Sequence, residues 1–303
     1  MLATVRSAAL TAVYAFPVQV EVNAARGLPA FTVVGLPDGA VREGKERVLA
    51  ALAHAGCAMP PRRVTVNLAP ANVRKDGSAL DLPIAVGLLV ASGRLPPEVL
   101  EGRGFLGELG LDGSIRPVRG VLAMADRLRR EGLGELWVPR ANRREAALVE
   151  GLDVRAATSL AELLVRIEHG DRDPTDPADR ASTEAGGVRA EGARVGRTDG
   201  EPTRSEREAS LLSEIRGQAT ALRALELAAA GEHNVVLEGP PGSGKTMLAR
   251  ALREILPDPS GDEALEITRI HSVAGLLPEG AGLVRAPPFR APHHTASEVG
   301  MIG

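Results

Sequence analysis

Along residues 1–169 the period of the apolar positions changes repeatedly, and each change marks an element. MLATVRSAALTAVYAFPVQVEV (1–22) alternates apolar and polar side chains as a strand does. FTVVG (31–35) and RRVTVNL (62–68) are β-branched runs that predict two more strands. Between them Val41, Val48, Leu49 and Leu52 fall on one helical face, opened by Asp38 as N-cap and stopped at Gly56. LDLPIAVGLLVASG (80–93) is apolar almost throughout, which predicts a buried helix with Pro83 in its first turn. A strand near Gly104–Leu109, a helix over Val121–Arg130, the strand ELWVP (135–139) and short helices near 142–149 and 159–168 follow. The leading strands succeed one another without a helix between them, so the pattern is α/β of the mixed kind.

The pattern then stops. Residues 170–208 hold two large apolar side chains, Val188 and Val195, too few to offset the entropy of ordering the segment. They read as a flexible linker between a leader domain (1–169) and a second domain (209–303). In that second domain NVVLEGPPGSGKTMLARALREI (234–255) predicts a short apolar strand, a glycine-rich turn and an amphipathic helix. ALEITRI (264–270) is strand-like, with Glu266 inside it.

Composition narrows the chemistry. Apolar residues make up 44% and aromatics 2%, so the cores are aliphatic and few rings exist for base stacking. Cys57 is the single cysteine, which excludes an internal disulfide and a cysteine zinc cluster and fits a reducing cytoplasm. No apolar run approaches the length of a membrane span, so the expectation is a cytoplasmic protein with no membrane partner. The leader carries 21 basic against 18 acidic residues, the linker 7 against 10 and the rest 8 against 11, no strong polyanion footprint overall.

The sharpest motif is Gly239-Pro240-Pro241-Gly242-Ser243-Gly244-Lys245-Thr246, which fits the phosphate-loop pattern at every fixed position. Glycines let backbone N–H groups curl around phosphates, and the following helix adds its positive N-terminal end. Lys245 can reach the β- and γ-phosphates of ATP, and the Thr246 hydroxyl can hold Mg²⁺. Hydrolysis also needs an acidic Mg²⁺ partner and usually an arginine finger, and no apolar run ending in Asp-Glu follows Thr246. About sixty residues after the loop cannot complete a doubly wound sheet, since one βαβ unit takes ~30. The expectation is therefore an N-terminal portion that ends before its Walker B and arginine-finger residues.

IRGQATALRALELAAAGEHNVVLEGPPGSGKT (215–246) and PPFRAPHHTAS (287–297) resemble the magnesium-chelatase-like branch of the AAA+ ATPases. GLPAFTVVGLPDGAVREGKERV (27–48), VTVNLAPANVRKDGSALDLPIAVGLLVAS (64–92) and GELGLDGSIRPVRGVLAMA (107–125) are similar to the leader domain of the ComM/YifB family. The resemblance implies a ribosomal-protein-S5-domain-2-like, Lon-peptidase-like α/β domain, then the start of an AAA+ P-loop domain. It further implies a hexameric ring acting on branched or single-stranded DNA, as in branch migration during natural transformation. In the family pattern Gly217 and Gln218 lie near the nucleotide base.

KDGSALDLPIAVG (75–87) then poses a question, because Lon-type peptidases carry a Lys-Asp-Gly-Pro-Ser loop and a partner lysine on a later helix. Laid ungapped on that pattern, Ser78 takes the proline's place, Ala79 the nucleophile's and Leu122 the lysine's. A gap could restore Ser78 as nucleophile, but Lys45, Lys75 and Lys245 are the only lysines, and none lies between the loop and the phosphate site. A serine needs a base to lose its proton, and arginine stays protonated. Peptidase activity by this dyad is not expected.

Adjacent His293 and His294 point to opposite sides of an extended chain and lack ligands nearby, so a structural or subunit-contact role is expected. Arg285 and Arg290 sit on a Pro- and Gly-rich stretch, a solvated loop or a DNA contact in a ring pore. RLRREG (127–132) reads as an exposed helix end and Cys57 as a small buried filler. Three functional readings stand: a DNA-directed AAA+ motor, an ATP-dependent Lon-type protease, and a chelatase-like ATPase remodelling a protein partner. The absent lysine counts against the second, and the Lon-like leader against the third.

Overall fold

The structure is a computed structural model that describes residues 1–59, 62–75, 77–169 and 211–292. The linker expected at 170–208 and the pair His293–His294 lie outside the described residues. The described residues divide into two compact units, 1–169 with 268–282, and 211–267 with 283–292.

In the first unit the alternating start becomes a hairpin, β1 (Leu2–Thr11) and β2 (Tyr14–Ala25), antiparallel from Leu2↔Asn23 to Thr11↔Tyr14. β3 (Ala30–Val34) leads through α1 (Gly39–His54) to β4 (Arg63–Ala69), which pairs parallel to β3 and antiparallel to β2. The loop after β4 opens α2 (Asp81–Ala91). β5 (Arg103–Phe105) joins the sheet, and β6 (Glu108–Leu109) and β7 (Ile115–Arg116) form a small separate hairpin. α3 (Val121–Arg130), β8 (Glu135–Pro139), α4 (Arg143–Ala146), β9 (Asp153–Ala157) and α5 (Leu160–His169) complete it. The seven-stranded mixed sheet runs β3-β4-β2-β1-β5-β8-β9.

Side-chain alternation assigns the two faces of the sheet. Val5, Val20, Val22, Val64, Val66 and Trp137 pack with α1, α2 and α5 in one core, while Ala8, Leu136, Val138 and Ala156 pack with α3 and α4 in another. All eleven residues of α2 are buried, as its unbroken apolar run requires. Asp38 caps α1 through its Oδ1, which accepts the Val41 N–H at 2.8 Å. Its inward face holds Val41, Val48, Ala51 and Leu52, whereas Leu49 is half-buried. Strand β9, between the two expected short helices, is an addition to the sequence reading; its five residues carry too little pattern to separate from a loop.

In the second unit α6 (Leu211–Glu214), α7 (Ala219–Gly231) and α8 (Lys245–Ile255) gather Ile215, Leu225, Leu248 and Ala251 into a small core. Two expectations are corrected. Residues 234–238 are not in a strand: no described segment pairs with them, and a strand exists only through its partner's hydrogen bonds. Val235 and Leu237 still pack against the helices, while Val236 is 84% exposed. ALEITRI is not a strand either, but part of α9 (Gly261–Ala274). Ser260 and Glu263 form a capping box, Ser260 Oγ accepting the Glu263 N–H at 3.3 Å and Glu263 accepting the Ser260 N–H at 2.8 Å. That start signal, with Ala264, Leu265 and Glu266 after it, outweighs the β-branched Ile267, Thr268 and Ile270.

Candidate functional sites

The glycine-rich loop 239–246 of the second unit takes its shape from its glycines. Gly242 and Gly244 hold φ of 83° and 84°, left-handed values that other residues reach only with strain. Gly244 is the cap residue of α8, so the chain turns from loop to helix without a side chain in the way. Among the described residues no acceptor takes the amides of Gly242, Gly244, Lys245 and Thr246. These are the orphan donors of a helix start, and with the helix dipole they suit an anion. Lys245 Nζ donates to Gly239 O at 2.7 Å and Pro240 O at 2.8 Å, which arches the ammonium back over the loop. Thr246 is exposed on the first turn. Gln218 Nε2 donates to Ser243 O at 3.3 Å, bringing the start of α7 onto the loop, and neighbouring Gly217 is exposed with φ of 70°. Open backbone amides, a cation above them and a free hydroxyl beside them fit a nucleotide phosphate chain with Mg²⁺. Arg285 and Arg290 are exposed on irregular chain.

The second candidate, the loop before α2 in the first unit, has the same ingredients but uses them internally. Lys75 is fully buried, pairs by a β-bridge with Pro37, and its ammonium donates to the Pro70 carbonyl. Burial pushes the Lys75 pKa down. Asp38 reaches over with its second oxygen to accept the Gly77 N–H at 3.2 Å. Ser78 Oγ donates to Glu108. Asp81 is buried and held by Arg47, whose Nε and Nη2 lie 2.6 and 3.1 Å from its two oxygens; it also accepts the Leu109 N–H at 3.3 Å. Burial pushes the Asp81 carboxyl up against the pull of the guanidinium, while Asp81 raises Arg47. Ala79 packs against the apolar cluster that contains the buried Leu122. The two positions that a Lon-type dyad would occupy thus join one hydrocarbon cluster.

Three features here escaped the sequence reading: Glu108 as the partner of Ser78, the second bond of Asp38, and the Arg47–Asp81 pair. The last had a signal, since an acid opening a wholly apolar helix needs a cation. Cys57, expected buried, is half-buried against the core, with Arg94 Nη2 3.4 Å from its sulfur. Among the described residues no group of three or more His, Cys, Asp or Glu is placed to hold a metal, and no helix is long and apolar enough to cross a membrane.

Comparison with known proteins now bears on these two sites. A family model described as subunit ChlI of Mg-chelatase matches residues 20–142, and one described as magnesium chelatase, subunit ChlI, matches 211–303. The chain is therefore of the magnesium-chelatase-like class. An uncharacterised protein of Mycobacterium tuberculosis is 42% identical over 94% of this chain and 52% of its own length. YifB of Escherichia coli is 36% identical and the competence protein ComM of Haemophilus influenzae 37% identical, each over all of this chain and 55% and 56% of their own lengths. The chain belongs to the ComM/YifB family of magnesium-chelatase-like proteins. It spans about half the length of these curated relatives.

Proposed function

We propose that this chain is the leader and nucleotide-binding part of a DNA-directed AAA+ motor that binds and hydrolyses ATP with Mg²⁺. The observation that carries the reading is the phosphate loop: left-handed Gly242 and Gly244, unengaged amides and the Lys245 ammonium together over the start of α8. Residues 239–246 bind the phosphates, Thr246 takes part in holding Mg²⁺, and Gly217 and Gln218 lie towards the base. Bound Mg²⁺ supplies charge neutralisation on the phosphates; Lys245 supplies a second cation that stabilises charge on the transferred group. DNA as the working substrate is supported by similarity to a relative named for competence. A hexameric ring is part of the same proposal, as is the division into a leader (1–169), a linker (170–208) and an ATPase portion (209–303).

The leader is read as a Lon-like, S5-domain-2-type fold without peptidase chemistry. Supporting this are the apolar setting of Ala79 and Leu122 and the engagement of Lys75 by Pro70 O. The test is ATP turnover by the protein with and without branched DNA, with junction unwinding scored in the same tubes. Stimulation and unwinding, both lost in Lys245→Ala, are the expected result. Turnover indifferent to DNA would instead favour a chelatase-like ATPase acting on a protein partner.

A further inference from the structure

The boundary of the first unit falls inside α9. Residues of this helix up to Ile267 belong to the second unit, whereas Thr268–Gly282 belong to the first, together with the leader. The reason lies at the start of α3. Its cap residue Gly120 offers no side-chain acceptor, so the first amides of the helix need partners from elsewhere. The Leu122 N–H donates to Glu145 Oε1 at 2.9 Å, and the Gly120 N–H donates to the Ser272 carbonyl at 3.2 Å. The Ser272 hydroxyl donates to the same Glu145 oxygen, so one residue of α9 bonds the leader twice. Glu145 and Ser272 are only 6% and 3% exposed, which keeps water from competing for these bonds. Further along, the Gly280 N–H donates to the Ala141 carbonyl at 3.3 Å, and the Gly280 carbonyl accepts from Arg144 at 3.4 Å. The approach is close: a Cβ on Gly120, whose φ is 72°, would lie 2.5 Å from Leu10 and 3.2 Å from Val273.

The leader sets its own half of this contact. Asn142 accepts the Val118 N–H at 3.0 Å, and its amide donates to the Val118 carbonyl at 3.0 Å and to Glu145 Oε2 at 3.1 Å. Glu145 is thus oriented by leader residues whether or not Ser272 is in place. The last turn of α9, where carbonyls gather, meets the first turn of α3, where N–H groups gather, and the opposite partial charges attract. The bonds are polar and the apolar share is small. Among the described residues, neither apolar core of the unit includes a member of 268–282. A cavity of about 220 Å³, lined by Arg119, Leu277 and Pro278 among others, remains beside Glu145. A segment that shares no core with its support opens at far lower cost than the fold itself.

We infer that the α3–α4 surface of the leader is a reversible docking site for residues 268–282, with the buried Glu145 carboxylate as its anchor. Glu145 acts as a positioning residue: it caps α3 and holds Ser272 through the same oxygen. The docked segment is a second tie between the leader and the ATPase portion, besides the chain at 170–208. The leader is then fastened to the end of α9 and is more than a separate module on a tether. This goes beyond the proposed activity and needs neither DNA nor ATP turnover in order to hold.

The experiment places a specific protease site within residues 170–208 of the full chain, cuts it, and follows the two pieces by gel filtration over a dilution series. The pieces of the unaltered chain are expected to travel together. Those of Ser272→Ala are expected to separate at a concentration at least about tenfold higher, because a hydrogen bond to a charged group is gone. Ser272→Ala touches none of the bonds that Glu145 and Asn142 make within the leader, so folding of the leader is not at stake. Hydrogen exchange on the uncut chain gives a second reading. Amides of 268–282 and of Gly120 should exchange at least about tenfold faster in Ser272→Ala, and those of α2 at an unchanged rate. Glu279→Gln, an exposed change on the same segment, should leave both readings as they are. Pieces of the unaltered chain that separate at every concentration would overturn the inference, as would dissociation and exchange unmoved by Ser272→Ala. Dimers of the uncut chain that vanish in Ser272→Ala would overturn the intramolecular assignment and give the docked segment to a second copy.

Discussion

The loop before α2 and the loop before α8 are written in the same local grammar. Each has a lysine, a glycine-dependent turn and a helix starting within a few residues, and they behave in opposite ways. Before α8 the amides of Gly242, Gly244 and Lys245 stay unengaged among the described residues, and the Lys245 ammonium rests on two carbonyls and the Ser243 hydroxyl of its own loop. Before α2 the donors are spent: Gly77 N–H on Asp38, Leu82 N–H on Gly107 O, Ser78 Oγ on Glu108 and Lys75 on Pro70 O. An unspent donor set can take a ligand, and a spent one fixes a fold. A glycine turn at a helix start is therefore no sign of a binding site until the partners of its donors are counted.

The contrast is sharpest when the two loops are disarmed in parallel. Lys245→Ala is expected to lower ATP turnover on the order of 10²-fold or more, the usual scale for losing a group that stabilises transition-state charge. Ser78→Ala should leave turnover and DNA binding within twofold, since among the described residues its hydroxyl serves only Glu108. Steady-state phosphate release from the two variants decides it. Peptide cleavage by the unaltered protein that disappears in Ser78→Ala would reverse the assignment of the second loop.

Next in size is the pair that locks the second loop. Arg47→Met leaves the buried Asp81 carboxylate without its cation, and removing one partner of such a pair typically costs about 3–5 kcal/mol. Urea unfolding of the variant checks this, and Arg47→Met/Asp81→Leu should recover much of the loss because the lone charge is gone. Recovery would separate the cost of a broken pair from the small net worth of an intact one.

Local signals made much of this legible. Asp38 before an amphipathic run announced α1, the unbroken apolar run announced α2, and the spacing of Gly239, Gly244, Lys245 and Thr246 announced a glycine turn into α8. What escaped depends on partners distant along the chain. Nothing near Asp81 points to Arg47, thirty-four residues earlier, nor anything near Ser78 to Glu108, thirty residues later. Residues 234–238 carry strand propensity, but propensity alone makes no strand without an edge to pair with. At 264–270 the deciding signal is local: Ser260 and Glu263 form a helix start just before the strand-like run.

A smaller effect tests how closely the turn after β3 approaches β4. Gly35 has φ of 99°, and a Cβ placed there would lie 2.2 Å from the Leu68 carbonyl oxygen, a backbone atom that cannot step aside. Gly35→Ala is expected to cost about 2–3 kcal/mol through combined strain and overpacking, read as a lower urea midpoint with an unchanged slope. Nucleotide binding by the phosphate loop should be unaffected, since the damage lies in the other unit.

The smallest effect separates the two lysines by pH. Burial holds the Lys75 pKa in the folded chain below the ordinary lysine value, which the unfolded chain keeps. Between those two values the unfolded chain binds a proton that the folded chain has released, so this residue makes stability rise with pH. Below the folded value the full cost of burying the ammonium applies. Lys75→Met should therefore flatten the alkaline rise in unfolding free energy, by at most about 1.4 kcal/mol per pH unit, the single-proton limit. Urea midpoints at pH 7 and in mild alkali give the measurement, with Lys245→Met as the comparison. That half-buried side chain, resting on two carbonyls at its own loop, has far less burial to relieve. Equal slopes in the two variants would mean that Lys75 is as well solvated as Lys245, and the distinction between a spent loop and an open one would fail at its central residue.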